Sequence, residues 1–160
     1  MVLGQHNLTT EEVSALQNAW KLVEASPKNT ALRMFIIAFE ANPDGMVYFS
    51  NNAKFSLIGQ KLEDHPILNK HANGVFGAIS QIVKNLHNDE NYHKLIRKNS
   101  LVHKRFSEFQ PEFFLIFIDP FMQAVEESLD GQLTEDLKKN LKHVIEFVLG
   151  AFKTAFIEAE

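Results

Sequence analysis

The chain of 160 residues is 45% hydrophobic and 22% charged, which fits one folded domain and excludes an intrinsically disordered chain. Its net charge of −4 argues against a nucleic-acid-binding surface, which normally shows a clustered basic excess. The absence of cysteine excludes a disulfide framework, a thiolate metal site and a cysteine nucleophile. The 14 phenylalanines are the unusual feature, because such rings either pack together or line a flat apolar ligand.

The N-terminal residues and the apolar runs indicate where the protein resides. Residues 1–7 lack a basic region followed by an apolar run, so we predict no signal peptide. The longest purely apolar run, 113–118, is far shorter than the roughly 20 residues of a membrane span. We therefore expect a soluble cytoplasmic protein with no membrane span, folded as one domain over residues 1–160 with a short N-terminal arm at 1–8.

Helical periodicity dominates the chain and no alternating strand pattern stands out, so we predict an all-α domain of about six to eight helices. Thr9 and Glu12 form a capping box that starts the first helix. Ser26-Pro27 is predicted to supply the N-cap and first residue of the second helix. That helix is expected to end before a turn at Asn42–Gly45, with irregular turns continuing over Met46–Asp64.

The second half of the chain shows longer helical patterns. Pro66 is predicted to open a helix that runs to about His87 and is followed, after a polar break, by a shorter one. Pro111 is predicted to start the next helix, although Pro120 conflicts with its continuation. A turn then leads to Thr134, which is predicted to cap the last helix.

Seven histidines are the candidate ligands of the chain. His71 lies on the apolar face of its predicted helix and His103 near the end of the next helix. A single histidine on an apolar face is more often a satisfied core residue, so the prediction depends on the pair. Two imidazoles among phenylalanines, with no acidic cluster or His-Glu-x-x-His motif, suit a flat apolar macrocycle whose iron takes imidazole. The histidines predicted to be exposed or structural are His6, His65, His87, His93 and His143.

The order and spacing of several motifs resemble the globin family from Leu8 to Phe156. His103 falls 32 residues after His71, as the proximal histidine follows the distal one in that family. Each motif is short, and their agreement in order and spacing carries the resemblance. The matching segments are Leu8–Glu12 with Trp20, Asn42-Pro43 with Phe49, His65–Ala72, Phe109–Phe114 and Leu133–Asp136.

The resemblance implies a globin-like fold packed around haem b (iron protoporphyrin IX), with His103 as the proximal iron ligand. His71 would be the distal histidine, and a direct ligand only if the iron is six-coordinate. The implied function is reversible O2 binding for storage or intracellular transport by diffusion, as in an invertebrate-type tissue globin, with CO and NO as further gas ligands. The other implied cofactor-binding residues are Phe35, Phe49, Val75, Phe109 and Phe117.

Two alternatives to the storage function remain open at this point. The first is a six-coordinate, bis-histidine globin that acts in redox chemistry, NO scavenging or gas sensing. The second is a helical interaction module without haem. We expect no primary enzyme activity, with NO dioxygenase, peroxidase and nitrite reductase as secondary activities. Exposed phenylalanines leave a homodimer open.

The sequence also departs from the family pattern around both histidines. Asn99 and Val102 replace the leucine and the hydroxyl found in many globins, which leaves the acceptor that orients His103 open. The candidates are Asn99, Ser100 and a backbone carbonyl. Gly74 stands where a basic residue often meets a haem propionate. The remaining candidate propionate partners are Lys54, Lys70 and Arg105.

Overall fold

A computed structural model describes residues 8–53, 61–106 and 108–159, and within these ranges the chain contains α- and 3₁₀-helices and no strand. The predicted all-α fold is confirmed. Three 3₁₀ segments link some of the helices, at Leu62–Asp64, Val102–Arg105 and Pro111–Phe117. The α-helices are α1 (Thr10–Ala25), α2 (Thr30–Ala41), α3 (Pro43–Ala53), α4 (Pro66–Lys84), α5 (Asp89–Leu101), α6 (Ile118–Leu129) and α7 (Glu135–Glu158).

Helix α1 begins and packs as predicted. Thr9 Oγ1 accepts from the Glu12 backbone N–H at 3.1 Å, and Glu12 Oε1 accepts from the Thr9 backbone N–H at 3.2 Å, which completes the capping box. The buried face of α1 includes Trp20, whose Nε1–H donates to Ser80 Oγ at 2.8 Å. This bond satisfies the buried indole and ties α1 to α4.

The predicted start of α2 at Ser26-Pro27 is wrong. Asn29 is the N-cap, and its Oδ1 accepts from the Leu32 backbone N–H at 3.2 Å. Ser26 instead ends α1, and its hydroxyl lies 2.5 Å from the hydroxyl of Ser128 at the end of α6. Asparagine caps a helix as well as serine does, so the hydroxyl of Ser26 is left for a contact between helices.

The predicted turn at Asn42–Gly45 is also wrong, because Pro43 is the first residue of α3. Proline suits that position, since a first helical residue needs no amide donor. The Asn42 carbonyl accepts from the Met46 backbone N–H at 3.2 Å, so one residue separates α2 from α3. Irregular turns were expected over Met46–Asp64, but α3 covers the first part of this segment and the 3₁₀ segment Leu62–Asp64 forms its end. Lys54, a candidate propionate partner, lies outside the described residues, as does His6.

Pro120 does not interrupt a helix. The single helix expected after Pro111 is divided into the 3₁₀ segment Pro111–Phe117 and α6, and Pro120 is the third residue of α6. In the first turn of a helix the amide N–H groups have no partner within the helix, so proline removes no bond there. Pro66 and Thr134 start α4 and α7 as predicted, whereas α4 ends at Lys84, short of His87.

The helices bury one apolar core in which α2 is covered almost completely. Helix α2 packs against α6 and α4, α5 packs against α7, and α1 crosses α7. These contacts place α4 and the end of α5 around one space, with α2 on one side and α7 on another. Within the described ranges, no helix has both the length and the apolar character needed to cross a membrane.

Candidate functional site

A cavity of about 580 Å³ lies in this space, within the usual volume of small-molecule sites. It is lined by residues from α2, α3, α4 and α7, from the end of α5 and from the segment between α5 and α6, and its wall is mainly aromatic and aliphatic. The structure brings together in this one wall all seven residues that the sequence nominates for cofactor binding: Phe35, Phe49, His71, Val75, His103, Phe109 and Phe117.

His71 projects from α4 between two phenylalanine rings. The Phe35 ring meets the imidazole edge-on with centroids 5.4 Å apart, and the Phe49 ring lies at 4.9 Å. Part of the His71 side chain is accessible from the cavity. The surrounding apolar groups still desolvate the ring, which lowers the pKa of His71 to about 4, with the nearby charge of His103 as a smaller cause. His71 is therefore neutral at physiological pH.

His103 lies in the 3₁₀ segment that continues α5, and its Nδ1 is 3.3 Å from the Ser100 carbonyl oxygen. A carbonyl oxygen only accepts, so Nδ1 carries the proton and the lone pair of the neutral ring is on Nε2. Burial lowers the pKa of His103, opposed in part by the hydrogen bonds to the carbonyls of Ser100 and Asn99. The ring is thus neutral, with one tautomer fixed by the backbone.

The geometry decides among the acceptors that the sequence leaves open for His103. The Asn99 side-chain amide donates to the Leu95 carbonyl at 2.8 Å, within its own helix. The Ser100 hydroxyl donates to the Phe152 carbonyl of α7 at 2.7 Å. Both side chains are engaged elsewhere, so backbone carbonyls orient the imidazole.

Two positive charges border the otherwise apolar wall. Lys70 and Arg105 are the charged residues that line the cavity in the described part of the chain, and neither has an ion pair there. The guanidinium of Arg105 lies over the Phe106 ring, 5.1 Å from its centroid. No carboxylate lines the described wall. The apolar wall favours a flat apolar ligand, and the two cations favour acidic groups on that ligand.

Several cavity residues lack a clear signal in the sequence. Phe113 and Phe114 follow Pro111 in a segment of 3₁₀ geometry, which turns side chains with a period near three and so differs from the α-helical pattern used for prediction. Tyr48 lies beside Phe113, with ring centroids 5.0 Å apart, and burial raises its pKa. The lining residues outside the nominated set include Met34, Tyr48, Ile67, Phe106, Phe113, Phe114, Ile145, Leu149 and Phe152.

The remaining histidines lie outside this cavity. The predicted exposure of His93 and His143 is wrong: both are half-buried, and His143 packs edge-on against Phe147. His65 is buried as the N-cap of α4, and its Nδ1 accepts from the Leu68 backbone N–H at 3.4 Å. The residues that the structure describes contain no cluster of three or more His, Cys, Asp or Glu able to hold a metal ion. The two cavity imidazoles are thus the ligand pair to consider.

Comparisons with known proteins agree with this architecture. A family model described as Globin matches residues 32–152. Cytoglobin-2 of Danio rerio is 24% identical over 131 residues, 82% of this chain and 73% of that protein, and Cytoglobin-1 of Danio rerio is 21% identical over 122 residues, 76% and 70% respectively. The crystal structure of a hexacoordinated haem protein from an anhydrobiotic tardigrade superposes with a TM-score of 0.82 at 17% identity, covering 95% of this chain and 97% of that one.

The fold and the family match define an all-α haem protein. The chain belongs to the globin family. The residues in the cavity fit a haem: broad apolar walls accept the ring, two neutral imidazoles can coordinate iron, and two unpaired cations can meet its acidic groups.

Proposed function

We propose that this globin binds haem b and reversibly binds O2 for storage or intracellular diffusion in the cytoplasm. The observation that carries the proposal is the placement of His71 and His103. They come from different helical segments, line the same apolar cavity and are both neutral. Binding, with no primary enzyme activity, is the proposed role, and NO dioxygenase, peroxidase or nitrite reductase activity would be secondary.

His103 would hold the iron through Nε2, because its Nδ1–H is engaged by the Ser100 carbonyl. A haem bound in the cavity supplies an iron that coordinates a diatomic gas reversibly. Lys70 and Arg105 would hold the acidic groups of the haem. Phe109 and Phe114, with ring centroids 4.8 and 5.0 Å from that of His103, restrict the rotation of the proximal imidazole.

His71 would act on the opposite side of the haem. As a neutral imidazole it can donate one N–H to a polarised gas ligand, a bond worth about 1.5–3 kcal/mol, or roughly tenfold or more in affinity. Phe35 holds its ring by an edge-on contact and Phe49 by a tilted one. Together with Val75, these rings would give the distal side an apolar wall.

A bis-histidine globin is the second candidate. His71 and His103 line the same cavity. Neutral His71 has a lone pair that could take the sixth position, and hexacoordination in the structurally similar tardigrade protein supports this candidate. Such a resting state would suit redox chemistry, NO scavenging or gas sensing, because a gas would first have to displace His71.

The visible spectrum of the reduced protein without gas tests these functions. One broad band in the middle of the visible region means five-coordinate iron and supports storage. Two sharp bands mean six-coordinate iron and favour the second candidate. Purified protein with no Soret band would contradict both and leave a helical interaction module.

The proximal assignment has its own test. His103→Gly should abolish the parent spectrum, and added imidazole should restore it by occupying the space of the deleted side chain. His93→Gly, in α5 and outside the cavity, is the control and should leave the spectrum unchanged. An unchanged spectrum in His103→Gly without imidazole would show that another residue binds the iron.

A further inference from the structure

Ser100 is a buried polar residue with a partner on a distant part of the chain. Its side chain is 0% exposed, although it lies next to the end of α5. The hydroxyl donates to the Phe152 carbonyl of α7 at 2.7 Å, across 52 residues of sequence. A buried hydroxyl without a partner is unfavourable, so this bond holds the end of α5 at one position against α7.

The carbonyl of the same residue faces the proximal imidazole. Its oxygen lies 3.3 Å from His103 Nδ1, and a carbonyl has two lone pairs with which to accept. Phe152, the residue that receives the hydroxyl bond, itself lines the cavity. One residue therefore joins α7, the end of α5 and the orientation of His103.

We propose that Ser100 is a positioning residue for the proximal histidine, which acts through its hydroxyl. The bond to Phe152 fixes the Ser100 backbone, and the fixed carbonyl sets the plane of the His103 ring and the strength of the Nδ1–H···O bond. A stronger bond at Nδ1 makes Nε2 a better electron donor to a metal. The proposal rests on the assignment of His103 as proximal ligand. It explains how this chain orients that histidine with valine at position 102, immediately before it.

Loss of the hydroxyl should release the end of α5 and weaken the hold on the imidazole. In Ser100→Ala we expect a lower iron–imidazole stretching frequency in the resonance Raman spectrum of the reduced protein. Transfer of haem to an excess of a scavenging apoprotein should be faster by roughly three- to tenfold, the usual effect of one lost hydrogen bond. Both measurements are made in a His71→Leu background, so that the signal reports the proximal ligand alone.

Ser80→Ala is the matched control. It also removes a buried hydroxyl, which accepts from the Trp20 indole N–H at 2.8 Å, but that bond joins α1 to α4 and does not reach His103. A loss of stability alone would affect both variants, whereas the stretching frequency should change only in Ser100→Ala. Ser100→Cys keeps a donor at this position, although a weaker one, and should shift the frequency in the same direction, which keeps the test informative if the alanine variant does not fold.

The outcomes separate the inference from the proposed function. A frequency in both Ser100 variants that equals the Ser80→Ala value would overturn the positioning role. A His71→Leu parent without any iron–imidazole band would instead refute His103 as the ligand. A frequency shift confined to the Ser100 variants would support the proposal.

Discussion

The ring of Phe35 meets the imidazole of His71 edge-on, with their planes at 89°. Phe35 also contacts Phe117 at a centroid distance of 4.6 Å, so it joins His71 to another aromatic residue of the wall. The contact with His71 restricts the rotation of the imidazole and narrows the cavity beside it.

Phe35→Leu should therefore increase the rate at which CO binds the reduced protein, because a smaller side chain opens the distal side and frees His71. We expect a several-fold increase in the bimolecular rate measured by flash photolysis, together with a loss of about 1–3 kcal/mol in stability. Phe39→Leu is the control, since Phe39 is buried beside Phe35 but does not line the cavity. Equal rates in the two variants would contradict a specific role for Phe35.

The lowered pKa of His71 predicts a pH dependence of stability in the haem-free chain. Between the usual imidazole pKa of 6.5 and the folded value of about 4, the unfolded state binds more protons than the folded state. The free energy of unfolding should thus fall as the pH drops from 6.5 to 4, with little further contribution from His71 below 4. Because part of the ring is accessible, we expect less than about 3 kcal/mol.

Urea unfolding at several pH values between 4 and 7 measures this effect. His71→Gln should show a shallower loss of stability with acid than the parent, while His87→Gln, which changes an exposed residue, should follow the parent. The same slope in all three proteins would rule out His71 as a source of the acid sensitivity.

The cations of the cavity wall predict how firmly haem is held. Lys70→Gln and Arg105→Gln should each speed haem transfer to a scavenging apoprotein, by up to about fivefold, the effect of an exposed ion pair worth at most about 1 kcal/mol. The difference from the parent should shrink at high salt, because salt screens exposed charges. Lys94→Gln removes a cation paired with Glu90 on α5, outside the cavity, and should leave the rate unchanged.

The start of α2 gives a prediction about stability. Asn29→Ala removes the N-cap and also the bond from Asn29 Nδ2 to Asn69 Oδ1, 2.6 Å long, and should cost about 1 kcal/mol or more in chemical denaturation. Asn29→Asp keeps a capping oxygen and should retain most of that stability. If Asn29→Ala were as stable as the parent, the N-cap would lie elsewhere, as the Ser26-Pro27 pattern suggests.

Local chemistry explains which parts of the fold could be predicted from the sequence. The capping box of Thr9 and Glu12 involves only neighbours, and its prediction is confirmed. The prediction of Ser26 as an N-cap was wrong, and its hydroxyl is instead hydrogen-bonded to that of Ser128, which is distant in the sequence. The turn predicted at Asn42–Gly45 was wrong because an Asn-Pro-Asp-Gly segment suits both a turn and a helix start. The packing of the folded chain decides between the two.

The candidate site also combines features that the sequence predicts with features that only the folded structure shows. Two imidazoles among phenylalanines and the resemblance to globins predict the pairing of His71 with His103, and both line the cavity. The acceptor for His103 could not be predicted, because every residue has a backbone carbonyl and only the folded geometry selects that of Ser100. Phe152 lines the cavity from α7, and its contribution depends on how α7 crosses α5.

The wall of the cavity extends along the chain from Met34 to Phe152. During synthesis the ribosome makes α2 and α4 long before α7. Until α7 emerges, the apolar side chains of α2 and α4 that line the cavity lack their contacts with it. The pocket is complete only when nearly the whole chain has emerged. A chain that ends before α7 therefore lacks Ile145, Leu149 and Phe152 from the cavity wall.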